Sequence, residues 1–269
     1  MLSESPDLDL DDDPVVVGRS DVVVELDPDD LSVDRGTSAQ ARALGDLDRM
    51  LDELARRAPA PGALLDLGCG MGGLTAHVGE RLGISERFGA DYDPERLVVA
   101  ARRGVRPMRI DLEQDTLPLE TASVGLVTSF GVLAYLRLYD NTLSEAARVL
   151  EDGGWLLISM PNLGSWANRL ALLFGFQPHS VTVSERRRVG TVGARGKERP
   201  SQNTPPLLHG ATLRCMRDLL DELGFDVVVT RGFTPPGRSR RRLLDRVAVR
   251  FPSLARRFLI LARRRVRSS

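Results

Sequence analysis

Apolar positions along the chain fall into short runs separated by longer amphipathic stretches, and that alternation predicts its elements. Ala43, Leu44, Leu47, Met50, Leu51 and Leu54 recur at three- and four-residue spacing, which predicts a helix over Thr37 to Ala58, closed by Pro59-Ala60-Pro61-Gly62. Gly62 to Leu67, Arg87 to Ala90, Met108 to Ile110, Val124 to Ser129 and Trp155 to Met160 read as five strands. Helical patterns lie between them at Leu74 to Leu82, at Pro94 to Arg103 with proline at the start, and at Asn141 to Leu150 with Asp152-Gly153-Gly154 as the stop. Beyond Pro161, the apolar run Trp166 to Phe176 reads as a helix, and Ser184 to Pro206, rich in Arg, Gly and Pro, as a mobile loop suited to a lid. A helix over Ala211 to Leu223 and a strand over Phe225 to Thr230 follow, then a surface helix at Leu243 to Val249 and a last strand at Phe258 to Ala262. Strand and helix in alternation imply an α/β, Rossmann-like doubly wound sheet with ligands at the carboxyl ends of its strands.

Composition narrows this picture. With 269 residues and 42% hydrophobic content, the chain can bury the core of one α/β domain with appendages. The formal net charge of zero hides an asymmetry: residues 1 to 35 hold twelve acidic residues against Arg19 and Arg35, and residues 231 to 269 hold thirteen arginines against Asp245. Residues 1–36 therefore read as an acidic arm, either a disordered tail or short valine-rich strands, and residues 37–269 as the domain. Within the domain, 161–210 reads as a substrate-side insertion or lid, and 235–257 as a basic helical insertion before the last strand. Lys197 is the single lysine, so the arginine richness reflects a bias in usage and is weak evidence for nucleic acid. Arg238 to Arg267 has two readings, a basic amphipathic helix making weak peripheral contact with anionic lipid, or a surface helix and a strand; Pro252 favours the second. Cys69 and Cys215 supply neither a disulfide framework nor a metal-ligand spacing, and no signal peptide or spanning apolar run is present, so a cytoplasmic location is expected.

The chemistry concentrates at Leu64 to Thr75, where an apolar strand enters a glycine-rich turn and then a helix. Gly68, Gly70 and Gly73 satisfy G-x-G-x-x-G, a spacing that also suits a nicotinamide dinucleotide. Asp66, two residues ahead of the first glycine, separates the two ligands. A carboxylate there opposes a pyrophosphate and favours the ammonium and sulfonium of S-adenosylmethionine. Asp91 ends the second strand, from which a carboxylate can accept hydrogen bonds from both ribose hydroxyls, and Tyr92 can lie against the adenine face. Asp111 and Leu112, at the end of the third strand, can meet the adenine amino group and N1.

These blocks in this order resemble the class I S-adenosylmethionine-dependent methyltransferases over roughly residues 40 to 262. The resemblance is carried by Leu64 to Gly70, Gly89 to Pro94, Asp111 with Leu117-Pro118-Leu119, Val127 to Leu136, and Ala146 to Met160. It implies a seven-stranded sheet, mostly parallel, with Phe258 to Ala262 as an antiparallel last strand. It also implies S-adenosylmethionine as co-substrate, held by Asp66, Gly68, Cys69, Gly70, Gly72, Asp91, Tyr92, Asp111, Leu112 and Ser129. Met160-Pro161-Asn162, Arg169, Gly175 to Pro178 and His209 are similar to the type 11 and MetW-like branch. Two positions depart from the pattern: Gly125 replaces the acid usual at the start of strand four, which weakens strand packing, and Tyr135 replaces the usual polar residue after it.

Methyl transfer is an in-line displacement that needs alignment more than a fixed catalytic group. A base helps a hydroxyl or protonated amine, and His209 and Tyr135 are the weak candidates. No Asn/Asp-Pro-Pro-aromatic tetrad follows strand four, which turns the expectation from nucleic acid toward a small metabolite, lipid-derived or sugar-derived O or N acceptor. The alternatives are an S-adenosylmethionine-binding module acting through a protein partner, and an NAD-linked oxidoreductase, which Asp66 disfavours.

Overall fold

Four apolar-flanked residues, Leu64–Leu67 (β1), sit at the middle of a seven-stranded sheet ordered β3-β2-β1-β4-β5-β7-β6. The other strands are β2 (Arg87–Asp91), β3 (Arg106–Arg109), β4 (Val124–Phe130), β5 (Leu150–Pro161), β6 (Phe225–Phe233) and β7 (Arg257–Arg264). The computed structural model describes residues 40–58, 61–178, 181, 183–184, 187, 189–192, 210–233 and 247–266. The acidic arm, His209, residues 234–246 and residues 193–209 of the expected lid lie outside them. All the described residues belong to one compact unit within Leu31–Ser269.

Parallel ladders join β3, β2, β1, β4 and β5, and β7 runs antiparallel between β5 and β6. This is the expected doubly wound sheet with one reversed strand. Strands β1 and β4 are buried over almost their whole length, as a parallel sheet covered on both faces requires. One face is closed by α1 (Gln40–Arg57) and α2 (Gly73–Leu82). There Leu47, Met50, Leu51, Leu54 and Val78 meet Leu64, Leu126, Leu157 and Leu261. On the other face α4 (Asp140–Val149) and α6 (Leu213–Glu222) bring Leu143, Ala146, Met216 and Leu220 against Leu65, Val127, Leu156 and Ile260. Each of the Leu, Ile, Val and Met side chains among them contributes roughly 2 kcal/mol when fully withdrawn from water. Helix α3 (Pro94–Arg102) starts where Asp93 accepts hydrogen bonds from the Glu95 and Arg96 amides at 3.0 and 3.3 Å.

The structure corrects several expected boundaries. Helix α4 ends at Val149, and Asp152-Gly153-Gly154 is a bulge inside β5. Leu150 pairs with Val124, and the ladder resumes only at Trp155 and Leu126. Gly125 does not weaken the sheet. Its amide and that of Leu126 both donate to the Ala63 carbonyl, and a Cβ at Gly125 would lie 2.3 Å from the Gly62 nitrogen, so the close approach demands glycine. Strand β3 covers Arg106–Arg109 rather than Met108 to Ile110, because its register with β2 pairs Phe88 with Arg106 and Asp91 with Arg109. Helix α5 spans Trp166–Leu173 and stops three residues short of Phe176, with Gly175 at φ 73°. Of the basic helical insertion, only residues 247–249 are helical among the described ones, and turns over 250–254 lead toward β7, which begins at Arg257.

Candidate active site

The carboxyl ends of β1 and β2 meet at the Gly68–Gly72 turn, where Gly68, Gly70 and Gly72 all have positive φ. Two of them also leave no room for a side chain: a Cβ at Gly68 would stand 2.4 Å from the Val132 Cβ, and one at Gly72 2.9 Å from the Ala100 backbone of α3. The turn satisfies most of its own amides. Gly68 and Cys69 donate to the Ala90 carbonyl at 2.7 and 3.1 Å, Gly72 to the Cys69 carbonyl at 2.9 Å, and Gly70 to Asp91 Oδ2 at 2.9 Å. The turn shapes a wall and positions carboxylates; it does not offer the row of free donors that a pyrophosphate needs.

Asp66 differs from its expected role. It is 2% exposed and points to protein hydroxyls: Thr75 Oγ1 donates to Oδ2 at 2.6 Å and Thr128 Oγ1 donates to Oδ1 at 2.7 Å. The carboxylate therefore ties β1 to the first turn of α2 and to β4, directly beneath the glycine turn. Thr75 and Thr128 escaped the reading of the sequence. The signal available was a hydroxyl inside an otherwise apolar strand, here Thr128, which a dry core accepts only with a partner.

Asp91 is buried at the end of β2. Its Oδ2 accepts the Gly70 amide and its Oδ1 the Asp93 amide at 3.1 Å. Each carboxylate oxygen keeps a further lone pair, so the group is oriented by the backbone and still able to accept from a diol. Tyr92 beside it is 64% exposed. The Cys69 side chain packs with Leu97, Ala100 and Val105, and its thiol donates to the Gly70 carbonyl at 3.6 Å.

Asp111 is exposed and serves its own turn, accepting from the Glu113 amide at 3.0 Å and from Gln114 Nε2 at 2.8 Å. The Leu112 carbonyl accepts from Thr142 Oγ1 at 2.8 Å and Asn141 Nδ2 at 3.1 Å, which fixes this turn to α4. Ser129, at the end of β4, is fully buried and its hydroxyl has no hydrogen-bond partner; the Ser159 hydroxyl on β5 is in the same condition. Tyr135 closes a short 3-10 helix, Val132–Tyr135, and is half-buried. Tyr139, near it in sequence, has its hydroxyl pKa pushed up to about 12 by burial, so it stays protonated at neutral pH.

Comparison with known proteins places this arrangement. A family model described as a methyltransferase domain matches residues 65–158. A Mycolicibacterium smegmatis protein named "Probable S-adenosylmethionine-dependent methyltransferase" is 38% identical over 105 residues, which cover 37% of this chain and 38% of that protein. A demethylmenaquinone methyltransferase of Thermus thermophilus is 34% identical over 104 residues, 37% of this chain and 47% of that protein. The chain thus spans less than half the length of these curated relatives. Among solved structures, an S-adenosylmethionine-dependent methyltransferase from Mesorhizobium loti shares the fold with a TM-score of 0.54 at 18% identity, covering 80% of this chain and 96% of that one. Residues 65–158, which match the methyltransferase domain model, contain the glycine turn and Asp91, and over this stretch the chain is similar to S-adenosylmethionine-dependent methyltransferases.

Proposed function

We propose that the protein transfers a methyl group from S-adenosylmethionine to an oxygen or nitrogen of a small-molecule acceptor. The observation that carries this reading is Asp91, held at the end of β2 by the Gly70 and Asp93 amides with acceptor capacity to spare. That geometry suits the two ribose hydroxyls of the nucleoside. Asp66 sits below the turn and lends negative potential to the ammonium end through Thr75 and Thr128 rather than by direct contact. Tyr92 supplies a ring edge to the adenine, and the Leu112 segment borders it. Two buried carboxylates and internally bonded turn amides make the same cleft a poor host for a pyrophosphate, which argues against a nicotinamide dinucleotide.

The sulfonium supplies an activated methyl carbon. The protein's task is then to exclude water and hold the nucleophile in line. Tyr135 is the described residue to test as a proton acceptor.

Titration calorimetry on the full chain tests the reading. Binding of S-adenosylmethionine and S-adenosylhomocysteine is expected, with Asp91→Ala weakening both by about 100-fold, as loss of two charge-assisted hydrogen bonds implies. Tighter binding of NAD than of S-adenosylmethionine overturns the assignment. Turnover to S-adenosylhomocysteine over a panel of hydroxyl and amine acceptors then identifies the class.

A further inference from the structure

Helix α5 inverts the pattern of the helices that cover the sheet. Of Trp166–Leu173, only Asn168 and Ala171 are buried. Leu170, Leu173 and the capping Phe174, spaced i, i+3 and i+4 on one face, are exposed, Leu173 at 77% and Phe174 at 67%. Leu172 and Phe176 are exposed as well. The Gln177 amide donates to the Gly190 carbonyl at 2.8 Å, which brings exposed Val189 and Val192 to the same segment. Scattered apolar residues on a surface need no explanation, but five within residues 170–176, joined by Val189 and Val192, form a patch of the kind that marks a docking surface.

Charge says what docks there. Residues 161–210 carry seven basic residues against two acidic ones, in a chain whose formal net charge is zero. Arg169 and Arg187 are exposed members of that set beside the apolar residues. An apolar face within a stretch of chain that is net cationic in sequence matches the boundary between headgroups and acyl chains of an anionic bilayer. A second copy of the chain is a poorer occupant, because a two-fold contact would bring two stretches of like net charge together.

We propose that α5 and the segment after it, Trp166–Phe176 with Val189 and Val192, dock the protein peripherally on anionic phospholipid bilayers. This moves the membrane contact away from the arginine-rich chain end. There Arg257–Arg264 belong to β7, with Arg264 buried and bonded to the Leu150 carbonyl and Arg263 over the Trp155 ring, so those arginines serve the sheet. Among the described residues no helix is long and apolar enough to cross a membrane, so the contact lies in the plane of the interface. It also lies at the working edge of the sheet. Strand β5 ends at Pro161 on the same carboxyl side as the glycine turn, and α5 begins five residues later.

Co-sedimentation of the full chain with vesicles tests the proposal, using phosphatidylcholine alone and phosphatidylcholine mixed with phosphatidylglycerol, at low and high salt. The expected result is binding to the anionic vesicles that fades with salt. The double variant Leu173→Asp/Phe174→Asp is expected to lose at least about tenfold in partitioning with an unchanged melting temperature. Arg187→Glu, which leaves the apolar face intact, is expected to lose about fivefold at low salt only. Absence of binding to phosphatidylglycerol vesicles at low salt overturns the proposal, as does equal binding to pure phosphatidylcholine. So does a well-folded double variant that binds like the parent. Light scattering that shows a dimer abolished by the double variant, without vesicle binding, assigns the face to a second copy instead.

Discussion

The two sides of the carboxyl edge are built on opposite plans. Around the glycine turn, buried polar side chains reach across the sequence to fixed partners: Asp66 to Thr75 and Thr128, Asp91 to Gly70. Past Pro161, Asn162 does anchor the chain, donating through Nδ2 to the Ala255 carbonyl at 2.8 Å, but the helix that follows turns its apolar residues outward. The first side is prepared for one small ligand of defined shape. The second is adapted to a partner that selects for surface character rather than for a point of contact.

That contrast breaks most sharply at Asp66. Asp66→Ala strands the Thr75 and Thr128 hydroxyls in a dry core, and a loss of about 3 kcal/mol in unfolding free energy is expected, measured by urea denaturation. A loss below about 1 kcal/mol would mean that the turn is held by its glycines and not by the carboxylate beneath it. No comparable loss is expected from any single exposed residue of α5.

The same contrast explains what the sequence made legible. The glycine turn, the strand-end Asp91 and the alternation of strands with helices are visible because each depends on a local pattern, whereas seven strands with a reversed last one are what the family resemblance implies. Pairings remote in sequence leave no such trace. Nothing near Asp66 announces that Thr128, 62 residues away, will take one of its oxygens. Strand limits depart from the apolar pattern where arginine enters the ladder. Arg106 and Arg109 open and close edge strand β3, and Arg263 and Arg264 extend β7, although charge in a pattern reads as surface. Asp152-Gly153-Gly154 resembles a helix stop, yet the residues form a bulge because β4 fixes the register on both sides.

A smaller effect sharpens how the first side is clamped. Glu145 accepts the Leu117 amide at 2.8 Å and pairs with Arg148, while Arg148 donates to the Leu117 and Leu119 carbonyls at 2.9 and 2.8 Å. The Arg148 guanidinium, together with the Leu117 amide, holds the Glu145 carboxyl below its usual value of 4.5 despite partial burial. A depressed carboxyl pKa gives stability that is complete above that value and is lost as pH falls through the folded-state value. Glu145→Gln is therefore expected to cost about 1 kcal/mol near neutral pH and to flatten the acid limb of the stability profile. Equal acid limbs in the two proteins would remove the clamp.

The smallest change separates the exposed ring proposed to meet a ligand from the exposed side chains proposed to meet a bilayer. Tyr92 and Leu173 are comparably open, at 64% and 77%, but Tyr92 stands alone beside Asp91, whereas Leu173 belongs to a patch. Tyr92→Ala removes little buried area, so unfolding free energy is expected to stay within about 0.5 kcal/mol of the parent. If the ring lies on the adenine, affinity for S-adenosylhomocysteine drops about three- to tenfold, the worth of one aromatic contact, and vesicle partitioning does not move. Calorimetry and co-sedimentation on the same preparation read both quantities. A variant that keeps full nucleoside affinity and loses vesicle binding would place Tyr92 with α5 on the docking surface and erase the division between the two sides.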